Sequence, residues 1–153
     1  VCPLEGRHYF SVMYGRFLDG KFTPEFTAEV DKGPDQYAGQ VFQDYKGRNI
    51  LISWIPGWQY AGFAPKDVGC MSVPRELKLT DGVITAYPVE ELQHLLRDHD
   101  EAVQRTESGF VIPRAGREPV VYEGPVDDLK ILRDEYLVEV FVNGGREVYT
   151  ALL

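Results

Sequence analysis

Four hairpin-turn signals, each set between runs rich in Tyr, Phe, Val and Ile, constrain this chain to antiparallel β-structure more firmly than any other feature of it. Asp19-Gly20, Lys46-Gly47-Arg48-Asn49, Asp81-Gly82 and Asn143-Gly144-Gly145 supply residues that accept positive φ, as tight hairpin turns require. The runs between them alternate or are wholly apolar, and they predict strands at residues 8–17, 49–55, 71–73, 76–79, 83–87, 110–112, 119–122, 129–133, 137–142 and 146–152. The fold class expected is all-β.

Two stretches break this rhythm. Residues 58–69 are rich in Gly and Pro and lack periodicity, which predicts an irregular surface loop carrying aromatics. In residues 88–103, Val89, Leu92, Leu95, Leu96, His99 and Val103 fall near one face of a 3.6-residue repeat, which predicts one short amphipathic α-helix. Pro88 suits its first turn, and Glu90 and Glu91 suit the positive end of its dipole. The organisation expected is a β block over 1–87, a helical linker over 88–105 and a second β block over 106–153.

Composition narrows the function. With 153 residues, 44% of them hydrophobic, the chain can bury one good core or two small ones. Its 24 acidic against 16 basic residues leave a net charge of -8, which repels phosphate backbones and anionic lipid, so neither nucleic acid nor membrane is an expected partner. No apolar run has the length of a bilayer-spanning helix, and residues 1–15 do not read as a signal peptide. Cys2 and Cys70 are the two cysteines; they make no disulfide framework and fit a reducing, cytoplasmic location. His8, His94 and His99 are scattered without carboxylates or thiols at ligand spacing, so no metal and no cofactor is expected. Ser11, Ser53, Ser72 and Ser108 lack a nucleophile-elbow context.

Several ordered motifs resemble glycoside hydrolase family 32, the invertase and fructan hydrolase family. Gly33-Pro34-Asp35-Gln36-Tyr37-Ala38-Gly39-Gln40 is similar to the family's G-x-D-F-Y-A-x-Q, with Gln36 in place of the phenylalanine. Gly47-Arg48-Asn49-Ile50-Leu51-Ile52-Ser53-Trp54 is similar to G-R-x-I-x-I-G-W, and Trp58 stands where a second tryptophan is usual. Met71-Ser72-Val73-Pro74-Arg75-Glu76-Leu77 resembles M-T-L-P-R-E-L, and Pro88-Val89-Glu90-Glu91-Leu92 resembles the P-V-x-E-L that opens the family's interdomain linker. Val138-Glu139-Val140-Phe141-Val142-Asn143-Gly144-Gly145 resembles the late V-E-V-F-x-N-x-G hairpin.

The resemblance implies the last strands of a five-bladed β-propeller, then a β-sandwich that residues 106–153 could supply only in reduced form. It also implies the C-terminal portion of a β-fructofuranosidase acting on sucrose or related β-fructosides. The family's catalytic motifs, N-D-P-N-G, R-D-P and E-C-P, are not matched; Val1-Cys2-Pro3 carries Val1 where the last has its glutamate. The chain alone is therefore expected to be inactive, with no catalytic residue assigned. A non-catalytic carbohydrate-binding or assembly module is the alternative, and either reading leaves strand edges that favour self-association or a complementing chain.

Three residues are candidates for sugar contact. The resemblance places Asp35 near the sugar pocket, where a carboxylate accepts hydroxyl hydrogen bonds, and its position after Gly33-Pro34 reads equally as a turn residue. Tyr37 and Trp58 could form an apolar platform with polar edges for a furanose ring, whereas Trp54, at the end of a β run, reads as core. Retaining hydrolysis needs two carboxyl groups about 5 Å apart across the scissile bond. Asp44, Asp67 and Glu76 each have an ordinary reading as turn or surface charge, and Arg75 beside Glu76 reads as a surface pair or as an ion pair beneath the pocket.

Overall fold

The computed structural model describes residues 2–4, 7–55 and 69–153, with side chains described within 10–55 and 69–153. It is all-β, as expected, with its described strands arranged in four antiparallel sheets. The first sheet holds β1 (Cys2–Leu4), β2 (Arg7–Leu18) and β3 (Lys21–Asp31). The second orders β4 (Tyr37–Gln43), β5 (Asn49–Ile55), β7 (Arg75–Thr80) and β8 (Val83–Pro88), with the two-residue β6 (Cys70–Met71) also on β5. The third orders β11 (Val120–Glu123), β10 (Gly109–Ile112) and β9 (Gln104–Arg105), and the fourth β12 (Leu129–Asp134), β13 (Leu137–Val142) and β14 (Glu147–Leu152).

The turns behave as their residues dictate. Asp19 and Gly20, Asp81 and Gly82, and Asn143, Gly144 and Gly145 all take positive φ, closing the β2–β3, β7–β8 and β13–β14 hairpins. Asp44 organises the β4–β5 turn: its carboxylate accepts from the backbone N–H groups of Lys46 and Arg48, both at 2.9 Å, and from Arg48 Nε at 2.8 Å.

β13 is buried along its whole length and organises the packing. Alternation sends Val138, Val140 and Val142 into a cluster with Phe110, Ile112, Val120, Leu129 and Ile131, so the third and fourth sheets pack face to face. The opposite face of β13 turns Phe141 toward Phe10, Val30, Leu51 and Ala86 of the first two sheets. β13 and β14 thus lie in a middle layer, while Lys130 and Arg133 of β12 stay partly open to water.

The linker differs from the expected α-helix. Glu90–Leu95 forms a six-residue 3-10 helix with no buried residue, and Leu96 is already extended at ψ 143°. Arg97 then exchanges backbone hydrogen bonds with Ile131, at 2.9 and 2.8 Å, and Val103 enters the cluster around β13. The apolar periodicity was satisfied by docking an irregular segment on β12, which outweighed helical propensity. Of residues 58–69, the expected aromatic loop, all but Gly69 lie outside the described residues.

Candidate functional site

Three strands place two aromatic rings and a thioether on one sheet surface. Tyr37 of β4 stands opposite Trp54 of β5, and Trp54 opposite Met71 of β6; residues directly opposed in a ladder share a face. The Tyr37 and Trp54 rings meet edge to face at 6.3 Å and 71°. Trp54 is 38% exposed and Met71 57%, so Trp54 is not the core residue that its strand position suggested. Gly69 rests on the indole, where a Cβ would lie 2.4 Å from Nε1. Trp58 lies outside the described residues, in the segment that leaves β5 after Ile55 and returns at Gly69.

Beneath this surface lies a sealed charge cluster. Arg75 of β7 is fully buried and uses all five of its N–H donors. Nη1 donates to Asp31 Oδ2 at 2.7 Å and Gln36 Oε1 at 3.1 Å. Nη2 donates to Thr150 Oγ1 at 2.6 Å and to Glu139 Oε2, which also accepts from Nε at 3.2 Å. The guanidinium lies 5.2 Å from the Phe141 ring centre. Glu139 Oε1 accepts from the Val73 N–H at 2.8 Å, while Asp31 Oδ1 accepts from the Gly33 and Thr150 N–H groups at 2.8 and 3.0 Å. Burial pushes the Glu139 carboxyl above its ordinary value, and the Arg75 charge partly offsets this. Burial would lower the Arg75 pKa, but Glu139 and Asp31 reverse that and hold it above the ordinary arginine value. Glu76, by contrast, pairs with Lys78 near the surface.

Asp35 belongs to a second buried tie. Its side chain is 1% exposed, and Oδ2 accepts from Arg114 Nη2 at 2.7 Å and the Leu152 N–H at 2.8 Å. The segment carrying it docks on β14 because Gly33 has no side chain: a Cβ there would meet the Thr150 carbonyl oxygen at 2.1 Å. Asp35 thereby ties the segment before β4 to β14.

The arrangement therefore separates two kinds of chemistry. The exposed Trp54 ring, with half-buried Tyr37 beside it, can stack on the C–H face of a sugar. The buried carboxylates Asp31, Asp35 and Glu139 face arginines. A separate depression of about 280 Å³ is lined by Asp98, His99, Asp100 and Glu101, but Lys130 reaches Asp98 at 2.5 Å and Arg133 reaches Asp100 at 3.1 Å. Among the described residues no group of three His, Cys, Asp or Glu side chains is placed to hold a metal ion. Asp31, Thr150 and Arg114 carried no sequence signal. Glu139 did, as a single charge within an otherwise apolar run.

Comparison with known proteins agrees with the motifs. Residues 2–88 match the family described as glycosyl hydrolases family 32, N-terminal domain. A sucrose-6-phosphate hydrolase of Zymomonas mobilis is 32% identical over 123 residues, covering 78% of this chain and 23% of that protein. The chain thus spans about a quarter of the length of that curated relative. Among solved structures, a family 32 glycoside hydrolase of Bifidobacterium adolescentis superposes with a TM-score of 0.71 at 21% identity, over 97% of this chain and 33% of that one. A Bombyx mori β-fructofuranosidase in complex with sucrose gives 0.62 at 20% identity, over 86% and 39%.

Proposed function

This chain belongs to family 32 of the glycosyl hydrolases, and we propose from that premise that it forms one aromatic wall of a β-fructoside site and is not by itself a hydrolase. The substrate class is sucrose or a related β-fructoside, including a phosphorylated one. Tyr37, Trp58 and the neighbouring Trp54 contact the sugar ring, and Asp35 holds the segment before Tyr37 against β14. The acids of a two-carboxylate mechanism come from outside this chain. One observation carries the reading: half-buried Tyr37 shares a sheet face with exposed Trp54 and Met71, while the buried carboxylates are held by Arg75 and Arg114.

Retaining hydrolysis requires a nucleophilic carboxylate and a protonated carboxyl that both reach the anomeric centre. Asp31 and Glu139 share one arginine, and their side chains are 0% and 1% exposed, so a sugar reaches neither without unfolding the cluster. The reading includes a companion, either a second copy or a complementing chain, and a cytoplasmic setting that suits the free Cys70. A non-catalytic carbohydrate-binding or assembly module is the second reading, and the exposed apolar hairpin of β2 and β3 favours its assembly half.

The test pairs turnover with binding. The purified chain is incubated with sucrose and assayed for fructose, and tryptophan fluorescence is followed as fructose or sucrose is added. No fructose release is expected, together with a saturable fluorescence change that Trp54→Ala removes. Fructose release that disappears on mutating a carboxylate of this chain would overturn the proposal.

A further inference from the structure

We propose that the outer face of the β2–β3 hairpin is a self-association surface, on which a second copy of this chain packs about a two-fold axis near Gly15. This rests on the reading above only for the need of a companion; the surface is argued from the hairpin itself. In the register Met13 faces Thr27, Gly15 faces Pro24, and Phe17 faces Phe22, with a bulge between Tyr14 and Gly15. Alternation along β2 puts Met13, Gly15 and Phe17 on one face, with their partners beside them. From Met13 to Phe22 that face carries no charge; the nearest is Glu29, opposite Ser11 at the base of the hairpin. The opposite face begins with Val12 in the core and continues through Tyr14, Arg16 and Leu18, where Arg16 pairs with Glu25 at 2.6 Å.

A sheet that gives one face to its core ordinarily turns polar side chains to water on the other. Here Met13 is 61% exposed, Phe17 70% and Phe22 43%. These three leave on the order of 350 Å² of side-chain surface per copy. With Pro24, Thr27 and the strand backbone, two copies would bury roughly 1,000–1,200 Å², the lower end of specific interfaces.

Three features select a second copy as the occupant. Residues 7–32 hold four basic side chains (Arg7, Arg16, Lys21, Lys32) and four acidic ones (Asp19, Glu25, Glu29, Asp31), so the whole net charge of -8 lies elsewhere in the chain. Hairpins can therefore meet without the repulsion that other surfaces would bring. β3 is an edge strand of its sheet, but Pro24 offers no N–H and the bulge twists the ladder, which disfavours strand addition and leaves the face as the route. Gly15 is bare by necessity, because a Cβ would meet the Thr23 carbonyl oxygen at 2.1 Å. An antiparallel overlap centred on this flat point lays Met13 of each copy against Phe17 and Phe22 of the other, as an isologous contact requires.

Sedimentation equilibrium of the 153-residue chain across micromolar concentrations should show a reversible rise from 17.4 kDa toward twice that mass. Met13→Ser and Phe17→Ser, both at exposed positions, should each weaken the dimer about tenfold or more with an unchanged far-ultraviolet circular dichroism spectrum. In a background of Cys2→Ser and Cys70→Ser, Pro24→Cys should give a disulfide-linked dimer on mild oxidation, and Asp81→Cys in the remote turn should not. Monomer mass at every concentration overturns the proposal, as does a dimer indifferent to both serine variants. A chain that binds phosphatidylcholine vesicles, or pairs only with a chain supplying the rest of the family fold, also overturns it by assigning the face to another occupant. Sugar-induced fluorescence change in the Met13→Ser monomer stays at the wild-type level, so failure of the dimer and failure of the sugar reading are separately visible.

Discussion

Arg75→Met is the substitution that most directly probes how this chain is held together. It keeps an aliphatic stem beside Phe141 but leaves Asp31 and Glu139, at 0% and 1% side-chain exposure, without a cation. Removing one member of a buried ion pair costs about 3–5 kcal/mol, chiefly because the remaining charge is left uncompensated. Two carboxylates share this arginine, which places the cost in the upper part of that range at neutral pH. With a urea dependence of about 2 kcal/mol per molar, the unfolding midpoint should fall by roughly 2 M, measured by circular dichroism. Orphaned carboxylates relieve the penalty by binding protons, so the gap from wild type should narrow as the pH is lowered. Removing all three charges in Arg75→Met, Asp31→Asn, Glu139→Gln should recover much of the loss, since no buried charge remains. An Arg75→Met midpoint within about 0.5 M of wild type, or about 1 kcal/mol, would refute the assignment of Arg75 as the tie between the two β blocks.

Gly33→Ala should destabilise the chain by about 2 kcal/mol or more, because its Cβ would need the space of the Thr150 backbone; the chemical unfolding midpoint checks this. Phe110→Ala, at a fully buried position between Tyr122 and Tyr149, should cost about 3–5 kcal/mol in the same assay. Glu91 is held down to about 2 by hydrogen bonds from Arg48 and Lys46. Its folded value lies below the ordinary 4.5, so its contribution is present above that value and is lost as the pH falls toward about 2. Glu91→Gln should flatten the acid limb of the stability curve in this interval while changing little at neutral pH, since the pair is exposed. Gly69→Ala should displace the Trp54 indole and shift its emission with little loss of stability.

Features set by neighbours in sequence were legible in advance, and features set by distant partners were not. Asp19-Gly20, Asp81-Gly82 and Asn143-Gly144-Gly145 announce turns through their own backbone preferences, and β5 and β13 fall on the predicted residues. The segment after Leu95 escaped prediction because Arg97 finds its backbone partners on Ile131, information absent from the local pattern. Trp54 reads as core from its strand position because alternation along one strand does not reveal which face is covered; the exposure of Trp54 and of its neighbour Met71 shows that this one is open. The charge cluster spans still longer separations, joining Asp31 to Thr150 across 119 residues. Glu139 alone gave a local hint, since a carboxylate inside a buried apolar strand must find a cation or a proton.

Glu139 also shows why a raised acid is insufficient to mark a catalytic one. Burial pushes its carboxyl upward, the direction in which a general acid of a glycoside hydrolase is tuned. A proton donor, however, must reach the leaving oxygen in the transition state, and a site that excludes water must still admit the sugar. Glu139 meets only the first condition: its two oxygens are taken by Arg75 and the Val73 N–H, inside a layer covered on both faces. Its chemistry goes into joining β7 to β13, which keeps β5 and the adjoining aromatic row in register above it. A variant that frees Glu139 from Arg75 should therefore loosen the Tyr37–Trp54 edge contact and, on the proposed function, weaken the sugar-induced fluorescence change without creating turnover. Gain of hydrolysis in Arg75→Met would count against the proposed function, by showing that access to this carboxyl is what limits it.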